Sequence, residues 1–125
     1  MEVSYFTKVN ITKSTFFISL DESKLFNTMS KGHFIIVRSE TDIIIKESKF
    51  SGGQATEGGA IYLEDGSTLL AIDCFFEKNS ASVNGGVLYA TFPDMVTILN
   101  SEFSMNKALV KGSHLYVSYV NYKTG

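Results

Sequence analysis

The sequence predicts an all-β chain, a right-handed parallel β-helix of about four coils with 26–27 residues in each. Three observations predict it. The stretch Gly58-Gly59-Ala60-Ile61-Tyr62 returns as Gly85-Gly86-Val87-Leu88-Tyr89 and, worn, as Gly112-Ser113-His114-Leu115-Tyr116. Ile36, Tyr62, Tyr89 and Tyr116 follow one another at 26, 27 and 27 residues, while Phe16, Phe50, Phe76 and Phe103 are spaced 34, 26 and 27 apart. Finally, seven residues separate Ile36 from Ile43, Tyr62 from Leu69 and Tyr89 from Val96. Intervals that regular belong to stacked coils, because one coil cannot bury its inward side chains without a neighbour.

Each element of the coil follows from local chemistry. Val9 and Ile11, Ile43 and Ile45, Leu69 and Ala71, and Val96 and Ile98 share one parity, so one strand per coil points them inward. A second strand does the same with Ile35 and Val37, Ile61 and Leu63, Leu88 and Ala90, and Leu115 and Val117. The phenylalanines end a short third segment whose inward partner is small: Ser14, Ser48, Cys74 or Ser101. Turn residues such as Ser39 to Asp42, Glu64 to Ser67 and Phe92-Pro93-Asp94 make tight corners. The excess of the first coil falls in the stretch 18–24, read as an outward loop or short helix. One domain over 1–125 results, with coils at 9–42, 43–68, 69–95 and 96–122, and Tyr119, Val120 and Tyr122 resemble the start of a further coil. A leucine-rich repeat has a similar length but needs a leucine framework that is missing here.

Composition removes several classes of function. At 125 residues, 44% hydrophobic and 19% charged, the chain has material for one packed domain. A net charge of -2, a single arginine (Arg38) and no basic run argue against a nucleic-acid partner. One cysteine, Cys74, excludes an internal disulfide and a multi-cysteine metal site. No apolar run is long enough for a transmembrane segment, and the first residues lack a signal peptide's layout. Either the chain stays in the cytosol or it is a piece of a longer secreted one; both ends look cut through a repeat, which favours the piece.

The recurrent glycines Gly32, Gly58, Gly85 and Gly112 read as corners of positive φ rather than a phosphate-cradling loop, which needs a strand before it and a helix after. Ahead of them comes Phe-x-x-Asn-x-Ala, as Phe76, Asn79, Ala81 and Phe103, Asn106, Ala108, with Phe50, Gly53, Ala55 as a partial copy. Asn79 and Asn106 suit an inward corner where the side chain satisfies backbone groups of stacked coils. This pairing of Phe-x-x-Asn with Gly58-Gly59-Ala60-Ile61 and Gly85-Gly86-Val87-Leu88 resembles the polymorphic outer-membrane protein repeats of bacterial autotransporter passengers, and similar repeats in large surface proteins of some single-celled eukaryotes. The resemblance covers two coils well; the third departs at Ser113 and His114, and the first keeps Gly32 and Phe16. It implies a pectin-lyase-like parallel β-helix in extracellular or cell-surface proteins that adhere or build structure, and no catalytic residues.

Tyr62, Tyr89 and Tyr116 have outward parity and are expected to form a stripe of exposed rings, the best binding candidate, with a glycan or a partner as ligand. The competing reading is that the rings shield backbone and fix register. Enzymatic readings fare worse: Glu47 and Asp73 share a column with Lys13 and Asn100, which suits a solvated face better than acid/base chemistry, and His33 and His114 fall in different columns. Cys74 reads as a small filler, and no cofactor or metal is called for. Asn10-Ile11-Thr12 is a glycosylation sequon with Asn10 pointing outward. The expected function is therefore a non-enzymatic structural or adhesive surface module of a larger or self-assembling β-helix. The alternatives are a carbohydrate-binding module using the tyrosines and, less well supported, a polysaccharide lyase-like fragment. The open ends also suggest end-to-end stacking of copies.

Overall fold

The alternating aliphatic residues form strands throughout: a computed structural model describes residues 2–3, 8–17 and 31–118, and every regular element among them is β. The stretch 18–24 and residues Tyr119, Val120 and Tyr122 lie outside the described residues. The chain opens with Glu2–Val3 (β1), Lys8–Thr12 (β2) and Thr15–Phe17 (β3). One complete coil then carries Ile35–Val37 (β4), Asp42–Lys46 (β5), Lys49–Ser51 (β6) and Gln54–Glu57 (β7). The next carries Ile61–Leu63 (β8), Thr68–Ile72 (β9), Phe75–Glu77 (β10) and Ser80–Asn84 (β11). A third carries Leu88–Thr91 (β12), Met95–Leu99 (β13), Glu102–Ser104 (β14) and Lys107–Ala108 (β15), after which Leu115–Ser118 (β16) begins another.

Corresponding strands pair in parallel, giving four sheets ordered β1-β4-β8-β12-β16, β13-β9-β5-β2, β14-β10-β6-β3 and β15-β11-β7. The register keeps the sequence columns together: Ile35 opposite Ile61 opposite Leu88 opposite Leu115, and Phe16 opposite Phe50 opposite Phe76 opposite Phe103. The parallel β-solenoid is therefore the fold, with three complete coils among the described residues.

Each coil has four sides where the sequence suggested three. The additional strand is the Gln54–Glu57, Ser80–Asn84, Lys107–Ala108 series, whose inward residues Ala55 and Ala81 are buried. Its small and polar composition carries no alternating apolar signal, so it reads as part of a corner. A single left-handed residue turns the chain between successive sides; in the middle coil these are Gly58, Gly66, Asp73 and Lys78, at φ 69, 75, 55 and 55. The column Lys13, Glu47, Asp73 and Asn100 is one such corner, at φ 52, 50, 55 and 49. Its side chains project from a bend as an exposed series, with Lys13 3.8 Å from Glu47 and Asn100 donating to Asp73.

The inward columns form one core in which Ile35, Val37, Ile43, Ile45, Leu63, Ala71 and Ala90 are wholly buried. Phe50, Phe76 and Phe103 stack with centroids 5.1 and 5.0 Å apart, and Phe34 closes against Phe50 at 6.0 Å. Outward positions of the β2-β5-β9-β13 sheet are more apolar than a water-facing surface needs: Ile44, Leu70 and Ile72 are half-buried, and Leu99 and Met95 are exposed.

A serine column links the coils beside the phenylalanines. Ser48 and Ser101 accept the backbone N–H groups of Ser14 and Cys74, at 3.2 and 3.0 Å, while donating to the carbonyls of Lys46 and Leu99. Cys74 occupies the same slot, its thiol donating to Ile72 and Ile45 carbonyls and meeting the Ser48 N–H. Burial, the larger effect, pushes the thiol pKa up, which suits a filler and not a nucleophile. Cys74→Ser is expected to keep stability within about 1 kcal/mol, because serine makes the same bonds in its neighbours. A thermal melt checks it, and a loss beyond that range would mean the sulfur's bulk matters to the core.

Candidate functional site

The outward column beside the glycine corner holds the strongest cluster of functional side chains. β4, β8, β12 and β16 place Ile36, Tyr62, Tyr89 and Tyr116 in direct register. The tyrosine rings stack nearly parallel, with centroids 5.3 and 5.1 Å apart and interplanar angles of 11° and 9°. Such pairs stabilise by about 0.5–1.5 kcal/mol each beyond burial. The Lys31 ammonium lies over the free face of Tyr62, 5.0 Å from its centroid. Glu57, one coil before Tyr89, accepts a hydrogen bond from the Tyr89 phenol.

This geometry corrects the expectation of exposed rings. Tyr62 is 7% exposed, and Tyr89 and Tyr116 are half-buried. Parity points the side chains away from the core, but neighbours only about 4.8 Å away cover both faces of Tyr89 and one face each of Tyr62 and Tyr116, and Lys31 lies over the other face of Tyr62. A sugar stacks on an aromatic face, and here the faces between the rings belong to other tyrosines.

Burial, followed by the charge of Glu57, pushes the Tyr89 phenol from its usual 10.0 up to about 12. The fold thus favours the neutral phenol, so this contribution to stability is complete below the unfolded pKa and is lost as pH rises through the folded one. The melting temperature is expected to fall between pH 10 and 12 in the native chain and less steeply in Tyr89→Phe. Identical slopes in the two proteins would show that other groups govern alkaline unfolding.

The other residues singled out from the sequence are dispersed around the coil. Gly32, Gly58, Gly85 and Gly112 stand at φ 62, 69, 70 and 68, and a Cβ on Gly58 would meet the Ile61 carbonyl oxygen at 2.2 Å. Asn79 and Asn106 are buried inside the stack. Asn10 and Thr12 are exposed on β2 with Ile11 between them half-buried. His33 lies with Nδ1 3.0 Å from the Gln54 carbonyl, whereas His114 packs against Phe103 at 5.4 Å and Asn106.

The carboxylates are partnered one by one: Glu64 with Arg38 at 2.5 Å, Glu77 with Lys49 at 3.1 Å, and Asp73 with Asn100. Among the described residues no group of three or more His, Cys, Asp or Glu side chains could hold a metal ion, and no helix is long and apolar enough to cross a membrane. A hollow beside Asp73 and Asn100 is lined by Cys74, Ile98, Phe103 and Leu115. These are largely inward columns of the last described coil, so the hollow belongs to the end of the described core.

Residues 73–91 match the Chlamydia polymorphic membrane protein repeat. The matched stretch runs from the Asp73 corner through β10, β11 and β12, and contains Phe76, Asn79 and the Gly85-Gly86-Val87-Leu88 series on which the resemblance was based. The repeat resemblance and the β-solenoid therefore agree. No curated protein and no solved structure matches the chain.

Proposed function

We propose that this chain is a non-enzymatic structural module of a longer β-helix displayed at a cell surface, of the kind that autotransporter passengers use to reach away from the membrane and adhere. The observation that carries this reading is the repeat match at 73–91 lying within an uninterrupted stack of the same columns. The residues that define the repeat are spent on corners, core and inter-coil hydrogen bonds, which supports a scaffold and not a reaction. Leu115, in the inward column with Ile61 and Leu88, is 37% exposed where those two are buried, which supports continued stacking, on further coils or on a second copy. Asn10 would be a glycan acceptor only in a host with a eukaryotic secretory route.

Protease added to intact cells that express the full gene product tests display. Cleavage without lysis is expected, and resistance until the cells are broken would overturn the surface reading. Turnover of any member of a broad polysaccharide panel by the purified chain would overturn the non-enzymatic part, and a strict monomer at high concentration in sedimentation would remove stacking between copies.

A further inference from the structure

We propose that the outward face of the β2-β5-β9-β13 sheet is a self-association surface, on which a second copy of this chain packs face to face about a two-fold axis. The register gives this face three outward columns: Lys8, Asp42, Thr68 and Met95; Asn10, Ile44, Leu70 and Thr97; and Thr12, Lys46, Ile72 and Leu99. Met95 and Leu99 are exposed, Ile44, Leu70 and Ile72 are half-buried, and exposed Phe92 stands on the corner before Met95. The next side of the coil instead turns out the charges Lys49, Glu77 and Glu102. An apolar patch of this kind with a polar border marks an interaction surface.

The order of charges along β5 identifies the occupant. Asp42 begins that strand and Lys46 ends it, both exposed, with Ile44 between them. A two-fold axis lying between the two sheets, along the stack and over the middle column, sets each strand antiparallel to its own copy. Asp42 then faces Lys46 of the second copy, and Lys46 faces Asp42. In the same arrangement Met95 meets Leu99, Thr68 meets Ile72, and Ile44 and Leu70 meet their own copies on the axis. A two-fold along β9 would instead lay Asp42 and Lys46 over Met95 and Leu99, which desolvates both charges without partners.

The contact is isologous and closes at two copies, which separates it from stacking on strand edges, where copy adds to copy. It is also small. β5, β9 and β13, with five residues each, span roughly 16 by 14 Å, well short of the ~800 Å² that each partner gives to a standard interface. The pair is therefore a weak one that forms at high protein concentration, and every coil adds one strand to the face. The inference stands on the sheet alone and does not depend on display at a cell surface.

Sedimentation of the purified chain over a rising concentration series tests the proposal. The mean mass is expected to climb from monomer toward dimer. Asp42→Lys and Lys46→Asp, made separately, should each weaken dimerisation by about tenfold or more at unchanged far-UV circular dichroism, because like charges then face each other. Mixing the two variants should restore it, since one chain presents lysine at both ends of β5 and the other presents aspartate at both. Leu70→Arg, which puts a charge on the axis, should leave a monomer. A native chain that stays monomeric, or a mixture no tighter than its components, would overturn the proposal. So would association that neither charge substitution changes, which would assign the contact to the ends of the stack.

Discussion

Gly59→Ala is expected to cost about 4 kcal/mol, enough to break the stack between its second and third coils. A Cβ on Gly59 would lie 2.1 Å from the Gly86 carbonyl oxygen and 2.6 and 2.8 Å from the Ser80 oxygen and nitrogen. All three are backbone atoms of neighbouring coil segments, so no side chain can swing aside. Relief requires the coils to separate locally, but Gly58, Gly59 and Ala60 donate to the carbonyls of Asn84, Gly85 and Val87 at 3.1, 3.0 and 2.9 Å. Overpacking and weakened hydrogen bonds therefore add. Gly66→Ala is the control, because that glycine has φ 75 but the one tight contact of its Cβ would be the Glu40 side chain, at 3.2 Å, with the Glu40 backbone at an ordinary 3.7 Å. Its cost is the left-handed strain of about 1–2 kcal/mol. Urea unfolding followed by circular dichroism separates the two, and a shallower dependence on urea for Gly59→Ala would mark a stack that no longer unfolds as one unit. If Gly66→Ala proves the more damaging substitution, close approach of the coils is not what requires glycine at position 59.

That contrast also shows where the sequence speaks and where it is silent. Stacking places like chemistry above like, so the phenylalanine, tyrosine and aliphatic columns could be read from spacing alone. The first glycine of each pair was legible too, because positive φ is a property of one residue. The second was not: Gly59 is required by the distance to Gly86 in the next coil, which no single coil encodes. The same cause hid the side made by Ser80–Asn84, whose inward Ala81 is too small for a hydrophobic pattern. Outward parity was right for Tyr62 as a direction and wrong as a measure of exposure, since exposure is set by the rings of adjacent coils. Glu47 and Asp73 read from the sequence as a solvated face, and both are exposed; that they stand on a left-handed corner is not legible, because sequence does not distinguish an exposed carboxylate on a strand from one on such a bend.

Replacing Asn79 should cost a comparable amount for a different reason. Asn79 is wholly buried, and its Oδ1 accepts the Gly53 N–H at 2.8 Å while Nδ2 donates to the Phe50 carbonyl at 3.1 Å and to Asn106 Oδ1 at 3.0 Å. Its backbone N–H also reaches Asn106 Oδ1, at 2.9 Å, so one side chain ties the coil before to the coil after. In Asn79→Ala the Gly53 N–H and Phe50 carbonyl lose their partners inside the core, at about 1–3 kcal/mol each, for an expected total of about 4 kcal/mol. That is a large share of the roughly 5–15 kcal/mol that holds a domain together. Asn79→Asp isolates the hydrogen bonds from the shape. Aspartate still accepts from Gly53, but as an anion it sets oxygen against the Phe50 carbonyl and Asn106 Oδ1, and as a neutral acid it has one proton for two acceptors. It should therefore destabilise at least as much as alanine at neutral pH and regain part of the loss in acid, where the carboxyl is neutral. Asn106→Ala should cost less, since Asn106 lies in a more open coil where water can replace what is lost. Urea midpoints for the three variants decide the matter: if Asn79→Asp unfolds with the native chain, the asparagine ladder is shape-filling and its hydrogen bonds contribute little.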